Sequence, residues 1–151
     1  MISALLAALI ALTTGIPRTV DADLVALAET RAAETTVTYA HRDLLELDNG
    51  RWQAWSEVLA VDPGTLDPAA GLVQQWMGSP NHRAILTDPR YDAIGCAVSP
   101  SGEWLYAVCV FGDSAVTPPP PIVEPVQPAV PVVVPSDIAP LLPNTAVLED
   151  A

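Results

Sequence analysis

Apolar positions along the first hundred or so residues follow two periods, one helical and one strand-like. Met1 to Thr14 is apolar and uncharged, and its core, Ala4 to Leu12, is too short to cross a membrane. It reads in two ways. One is a signal-peptide core with Val20-Asp21-Ala22 as a cleavage site; the other is a first helix stopped by Gly15 and Pro17. Leu24, Leu27, Ala28 and Ala32 next share a helical face, with Asp21 or Asp23 placed to cap it. A β-branched run from Thr35 to Tyr39 leads to His41. Trp55 to Val61 reads as a strand closed by Asp62-Pro63-Gly64. Asp67-Pro68 then predicts a cap with proline at the first helical position. The helix it opens buries Leu72, Val73, Trp76 and Met77, and Gly78 stands where a terminating glycine belongs. Ser79-Pro80 repeats the device for a short helix carrying Ile85 and Leu86, and Ile94–Ser99 with Trp104–Phe111 predict a hairpin.

The hairpin fixes a register. With Gly102-Glu103 as a two-residue loop and glycine first, a type II′ turn fits, and Ser101 pairs with Trp104. Counting outward sets Val98 opposite Ala107, Cys96 opposite Cys109 and Ile94 opposite Phe111, so one whole face is apolar. Alternation makes the cysteine pair a non-hydrogen-bonded one, whose Cα atoms approach to about 4.5 Å. That separation admits a Cys96–Cys109 disulfide; two buried free thiols are the alternative in a reducing compartment.

Composition divides the chain. Sixteen prolines in 151 residues exceed what a packed domain uses, and they concentrate after Ser114, from Pro118-Pro119-Pro120-Pro121 to Pro143. Prolines at that density favour polyproline II, so residues 114–151 are expected to form an extended or disordered tail after a domain over 1–113. The valines between them suit an aromatic groove on a protein partner. A net charge of −12, with six arginines and no lysine, argues against nucleic acid and against anionic membrane surfaces.

Two histidines and one acid stand in unusual settings. His82 falls near the third position of a helix, where the helix dipole disfavours imidazolium and leaves the ring able to bind a metal or act as a base. Glu57 alternates with Trp55, Leu59 and Val61 and so shares an apolar strand face, where a carboxylate needs a cation, a donor or a metal. Neither cysteine belongs to a C-x-x-C pair. The chain also contains no G-x-S-x-G or H-E-x-x-H motif.

Trp76-Met77-Gly78-Ser79-Pro80-Asn81-His82-Arg83-Ala84-Ile85-Leu86, then Tyr91-Asp92-Ala93-Ile94-Gly95 and the hairpin ending Phe111-Gly112, closely resemble the CAP superfamily. These are the cysteine-rich secretory, antigen 5 and pathogenesis-related proteins. Tyr39-Ala40-His41-Arg42-Asp43 is similar to the family's first histidine site, and Ser56-Glu57-Val58-Leu59-Ala60 to its Gly-Glu-Asn-Ile-Ala. The resemblance covers about residues 4–112. It implies an α+β fold, a three-layer α-β-α sandwich, with residues 1–14 retained as the first helix. It also implies that His41, Glu57 and His82 meet in a cleft suited to zinc or another divalent ion. Two departures weaken that set: Gln74 and Gln75 occupy the helix where many members carry a second glutamate, and Val58 replaces the asparagine. The resemblance implies an extracellular or surface-exposed module with a lipid or peptide ligand in the cleft. Its alternatives are a metal- or histidine-dependent hydrolase and a cell-surface or virion attachment protein acting through its tail.

Overall fold

The computed structural model describes residues 2–114; the Pro-rich segment lies outside them, Ser114 apart. In chain order the elements are helix α1 (Ile2–Thr14), strand β1 (Thr19–Val20), helix α2 (Ala22–Thr35), a 3-10 turn at Leu45–Leu47, and strand β2 (Ala54–Asp62). Helices α3 (Pro68–Gly78) and α4 (Pro80–Leu86) and strands β3 (Ala93–Ser101) and β4 (Trp104–Asp113) complete them. The sheet runs β1-β3-β4-β2, with β1 parallel to β3 and the other pairs antiparallel.

Alternation along the strands divides the core in two. Val58, Ala60, Ile94, Cys96, Cys109 and Phe111 face α1, α3 and α4, meeting Leu6, Ile10, Leu72, Trp76 and Leu86. Leu59, Ala93, Ala97, Val108 and Val110 face α2, meeting Leu24, Leu27, Ala28 and Ala32. Strands β2, β3 and β4 therefore carry buried apolar residues on both faces, as a sheet covered on both sides requires. The result is the three-layer α-β-α sandwich. Residues 2–14 form a helix whose Leu6 and Ile10 are fully buried.

Local signals account for most element ends. Asp21, not Asp23, caps α2, its carboxylate accepting from the backbone N–H groups of Asp23 and Leu24. Asp67 caps α3 through Ala70 N–H. Ser79 holds the cap position of α4, but its hydroxyl makes no capping hydrogen bond; Pro80 and the Ser79 carbonyl, which accepts from Arg83 N–H, start that helix. Gly78 is the last residue of α3, and the cap after it is Ser79 rather than a left-handed glycine. Thr35 closes α2, and the β-branched residues after it lie in an irregular stretch running to Leu44. Strand β1 has only two residues, too few to carry a periodicity, so no pattern announces it.

The hairpin register is the predicted one, with Ser101 opposite Trp104, Val98 opposite Ala107, Cys96 opposite Cys109 and Ile94 opposite Phe111. Gly102 takes φ 63°, the left-handed value its loop position demands. Cys96 and Cys109 are disulfide-bonded, their Cα atoms 4.1 Å apart. Closing a loop with a sequence separation of 13 contributes about 3 kcal/mol on the chain-entropy account. Cys96→Ala/Cys109→Ala is expected to lower the urea midpoint by an equivalent of about 2–3 kcal/mol, less where hairpin pairing already restrains the loop. A midpoint equal to that of the parent protein would show the bond to be energetically idle.

Candidate functional site

Strand β2 forms one edge of the sheet and carries Glu57 on the face that packs toward α2. The side chain of Glu57 is only 4% exposed, so its charge needs a partner inside the protein. Arg31 supplies it. Its side chain is 3% exposed, and its guanidinium donates from Nε to Glu57 Oε2 at 2.6 Å and from Nη2 to Oε1 at 3.1 Å. This is the two-pronged geometry that suits arginine and carboxylate. Nη2 also donates to the Ala40 carbonyl at 2.8 Å, and Nη1 to Glu34.

His41 follows directly. Its Nδ1 lies 3.1 Å from Glu57 Oε1. An ionised carboxylate can only accept, so Nδ1 is the nitrogen that donates and Nε2 is the ring nitrogen left clear of Glu57. Arg42 clasps the next stretch, donating to Glu34 at 3.0 Å and to Glu46 at 2.7 Å. Those bonds hold the Glu46 carboxyl at about 2, well below the ordinary range, and lower that of Glu34 as well.

His82 enters from α4, half-buried. Its ring centroid lies 6.2 Å from that of His41, the planes inclined by 55°. Burial, then the neighbouring His41, lowers its pKa and keeps the ring neutral near pH 7. A cleft of about 310 Å³ opens beside His41, bordered by Arg42, Leu44, Trp55, Ser56 and Glu57. Ser56 Oγ accepts from the Tyr91 hydroxyl at 3.0 Å.

The three predicted site residues are thus close in space, but they are not equivalent. The rings of His41 and His82 are neighbours, tilted by 55°. Glu57 touches His41, and both its oxygens are engaged by Arg31 and the imidazole. Among the described residues, no group of three His, Cys, Asp or Glu side chains is arranged to hold a metal ion. Two imidazoles on one tetrahedral ion have centroids about 5 Å apart, given Zn–N bonds of about 2 Å. The observed centroids, 6.2 Å apart, are about 1 Å wider than that. The residues nearest to a donor set are the two imidazoles, with Glu57 bonded to one of them.

Arg31 was missed in the sequence although it left a signal. It stands four residues after Leu27 and seven after Leu24, on the apolar stripe of α2. A cation on one apolar face and an acid on another are each costly alone and complementary together.

The sequence matches the model of the cysteine-rich secretory protein (CAP) family over residues 15–111. A comparison with curated proteins by sequence finds no match. Among solved structures, an outer surface protein from Borrelia burgdorferi superposes with a TM-score of 0.62 at 19% identity, covering 74% of this chain and 91% of that one. A cysteine-rich secretory protein from Staphylococcus aureus gives 0.55 at 20% identity, over 74% of this chain and 38% of that longer one. NaASP2, solved with Zn2+, gives 0.51 at 15% identity, over 65% and 61%. No helix among the described residues is long and apolar enough to cross a membrane. The family match covers most of the chain and agrees with the fold: the chain belongs to the CAP family.

Proposed function

We propose that the chain is an extracellular, non-catalytic CAP module whose cleft holds a divalent ion such as zinc on His41 and His82 and admits a small lipid or peptide ligand beside it. The observation that carries this is the pair of neighbouring imidazoles with centroids 6.2 Å apart, one of them bonded to a buried carboxylate. A carboxylate behind a ligating imidazole fixes its tautomer and raises its basicity. The solved neighbour with Zn2+ supports the choice of ion, and the outer-surface and secretory relatives support the location. The disulfide adds to the second point, because such bonds persist in oxidising compartments. The non-catalytic reading follows from Glu57: a carboxylate engaged by a guanidinium and an imidazole is poorly placed to take a proton from water.

Calorimetric titration of the full chain with zinc near neutral pH tests the site. One ion per chain is expected, with stoichiometric binding lost in both His41→Ala and His82→Ala. Affinity should fall as pH drops through the imidazole range, since a protonated ring cannot ligate. Absence of zinc binding by the parent protein, or equal binding by a variant lacking both imidazoles, would remove the metal from the proposal.

A further inference from the structure

The geometry points to Arg31 as a positioning residue of the cleft, one that fixes which nitrogen of His41 is presented for binding. Three observations carry this. The guanidinium is buried and grips Glu57 by two bonds, so it holds both carboxylate oxygens in place on the strand. That carboxylate, by accepting from Nδ1, selects the tautomer with Nε2 free. The same guanidinium also ties down the chain segment that brings His41 to the strand, through the Ala40 carbonyl.

The third bond matters because the segment between α2 and the 3-10 turn has no regular structure. The backbone N–H groups of Thr36, Val37 and Thr38 bond to the last turn of α2, and that of Ala40 to Thr38. Those bonds are local and leave the placement of Ala40 and His41 against β2 to side chains. Arg31 stands between the two halves, rooted in α2 by the apolar stripe around it and reaching both Glu57 on β2 and Ala40 in the segment. Its removal releases the acceptor and the segment together. Lysine restores only part of this, because one ammonium cannot present the planar fork that meets two carboxylate oxygens and a carbonyl at once.

Long-range proton–nitrogen correlation spectra of the imidazoles in the metal-free full chain read the tautomer directly. The parent protein should show His41 as the Nδ1–H form. Arg31→Met should shift it to a mixture of forms, Arg31→Lys should fall between them, and Arg90→Met, which removes an exposed guanidinium elsewhere, should leave it unchanged. A folded Arg31→Met protein that keeps the Nδ1–H form would overturn the assignment. So would an Nε2–H form in the parent protein, a result available even when the variant does not fold. A second measurement rests on the two-imidazole reading: Arg31→Met should weaken zinc binding about 10- to 100-fold, the usual range for a residue behind the ligand. The tautomer is read without metal, so failure of the zinc proposal leaves the role of Arg31 standing, and an unchanged tautomer sinks that role whatever zinc does.

Discussion

Gly95→Ala is expected to cost the domain about 3 kcal/mol or more, although it adds a single methyl group. A Cβ at Gly95 would lie 2.1 Å from the carbonyl carbon of Leu24, 2.3 Å from Val25 N and 2.5 Å from Leu24 O. All three are backbone atoms of α2, so no rotamer change relieves the clash; the helix must move off the sheet by about 1 Å or more to restore van der Waals contact. That displacement opens the layer in which Leu24, Leu27 and Ala28 meet Ala93, Ala97 and Val108. Lost packing then adds to strain. It also carries Arg31 away from Glu57, so the cleft should be disturbed with the core. Gly78→Ala is the contrast. A Cβ there meets nothing within 4 Å and the residue lies in a helix at ordinary φ, so the same change should be neutral or stabilising by up to about 1 kcal/mol. Urea and thermal midpoints of the two variants decide the matter. Equal midpoints would show that α2 can yield at Gly95.

The different fates of the sequence readings have a common physical cause. Elements whose residues speak locally were legible: the Asp67-Pro68 start of α3, the Gly102 loop, and the cysteine pairing that follows from period-two alternation. The hairpin register could be counted because its loop is two residues long and its glycine marks the turn. Family resemblance placed His41 and His82 in one cleft, and their rings are 6.2 Å apart. What the chain did not disclose depends on contacts distant in sequence. Glu57 read as needing a cation or metal, and nothing local said that the cation would arrive from Arg31 on the helix packed across that face. The sequence placed His82 where imidazolium is disfavoured, and its burial and the neighbouring His41, which lower its pKa, come from packing that no local pattern shows. Strand β1 is set by its parallel pairing with Ala93 and Ile94 and has no pattern of its own.

Glu57→Leu should destabilise the protein by about 3–5 kcal/mol, the usual cost of stranding one member of a buried ion pair. Arg31 would then sit with its side chain 3% exposed, keeping Glu34 and the Ala40 carbonyl but losing the two bonds that balance its charge. Arg31→Met should be damaging for the mirror reason, leaving a buried carboxylate that has lost both bonds from the guanidinium. The informative protein is the double variant Arg31→Met/Glu57→Leu. Two apolar side chains of similar length need no desolvation compensated, so it should recover most of the loss seen in either single variant. A double-mutant cycle on urea unfolding free energies should therefore return a coupling of several kcal/mol, well above the scatter for independent sites. The cycle also separates stability from function. The double variant should fold nearly as well as the parent protein and yet lack the acceptor on His41 Nδ1, so it should bind zinc as poorly as Arg31→Met. A double variant no more stable than the worse single one would mean that the pair is held for its packing volume. A Glu57→Leu protein within about 1 kcal/mol of the parent would mean that water reaches Arg31, and the buried clamp would have to be abandoned.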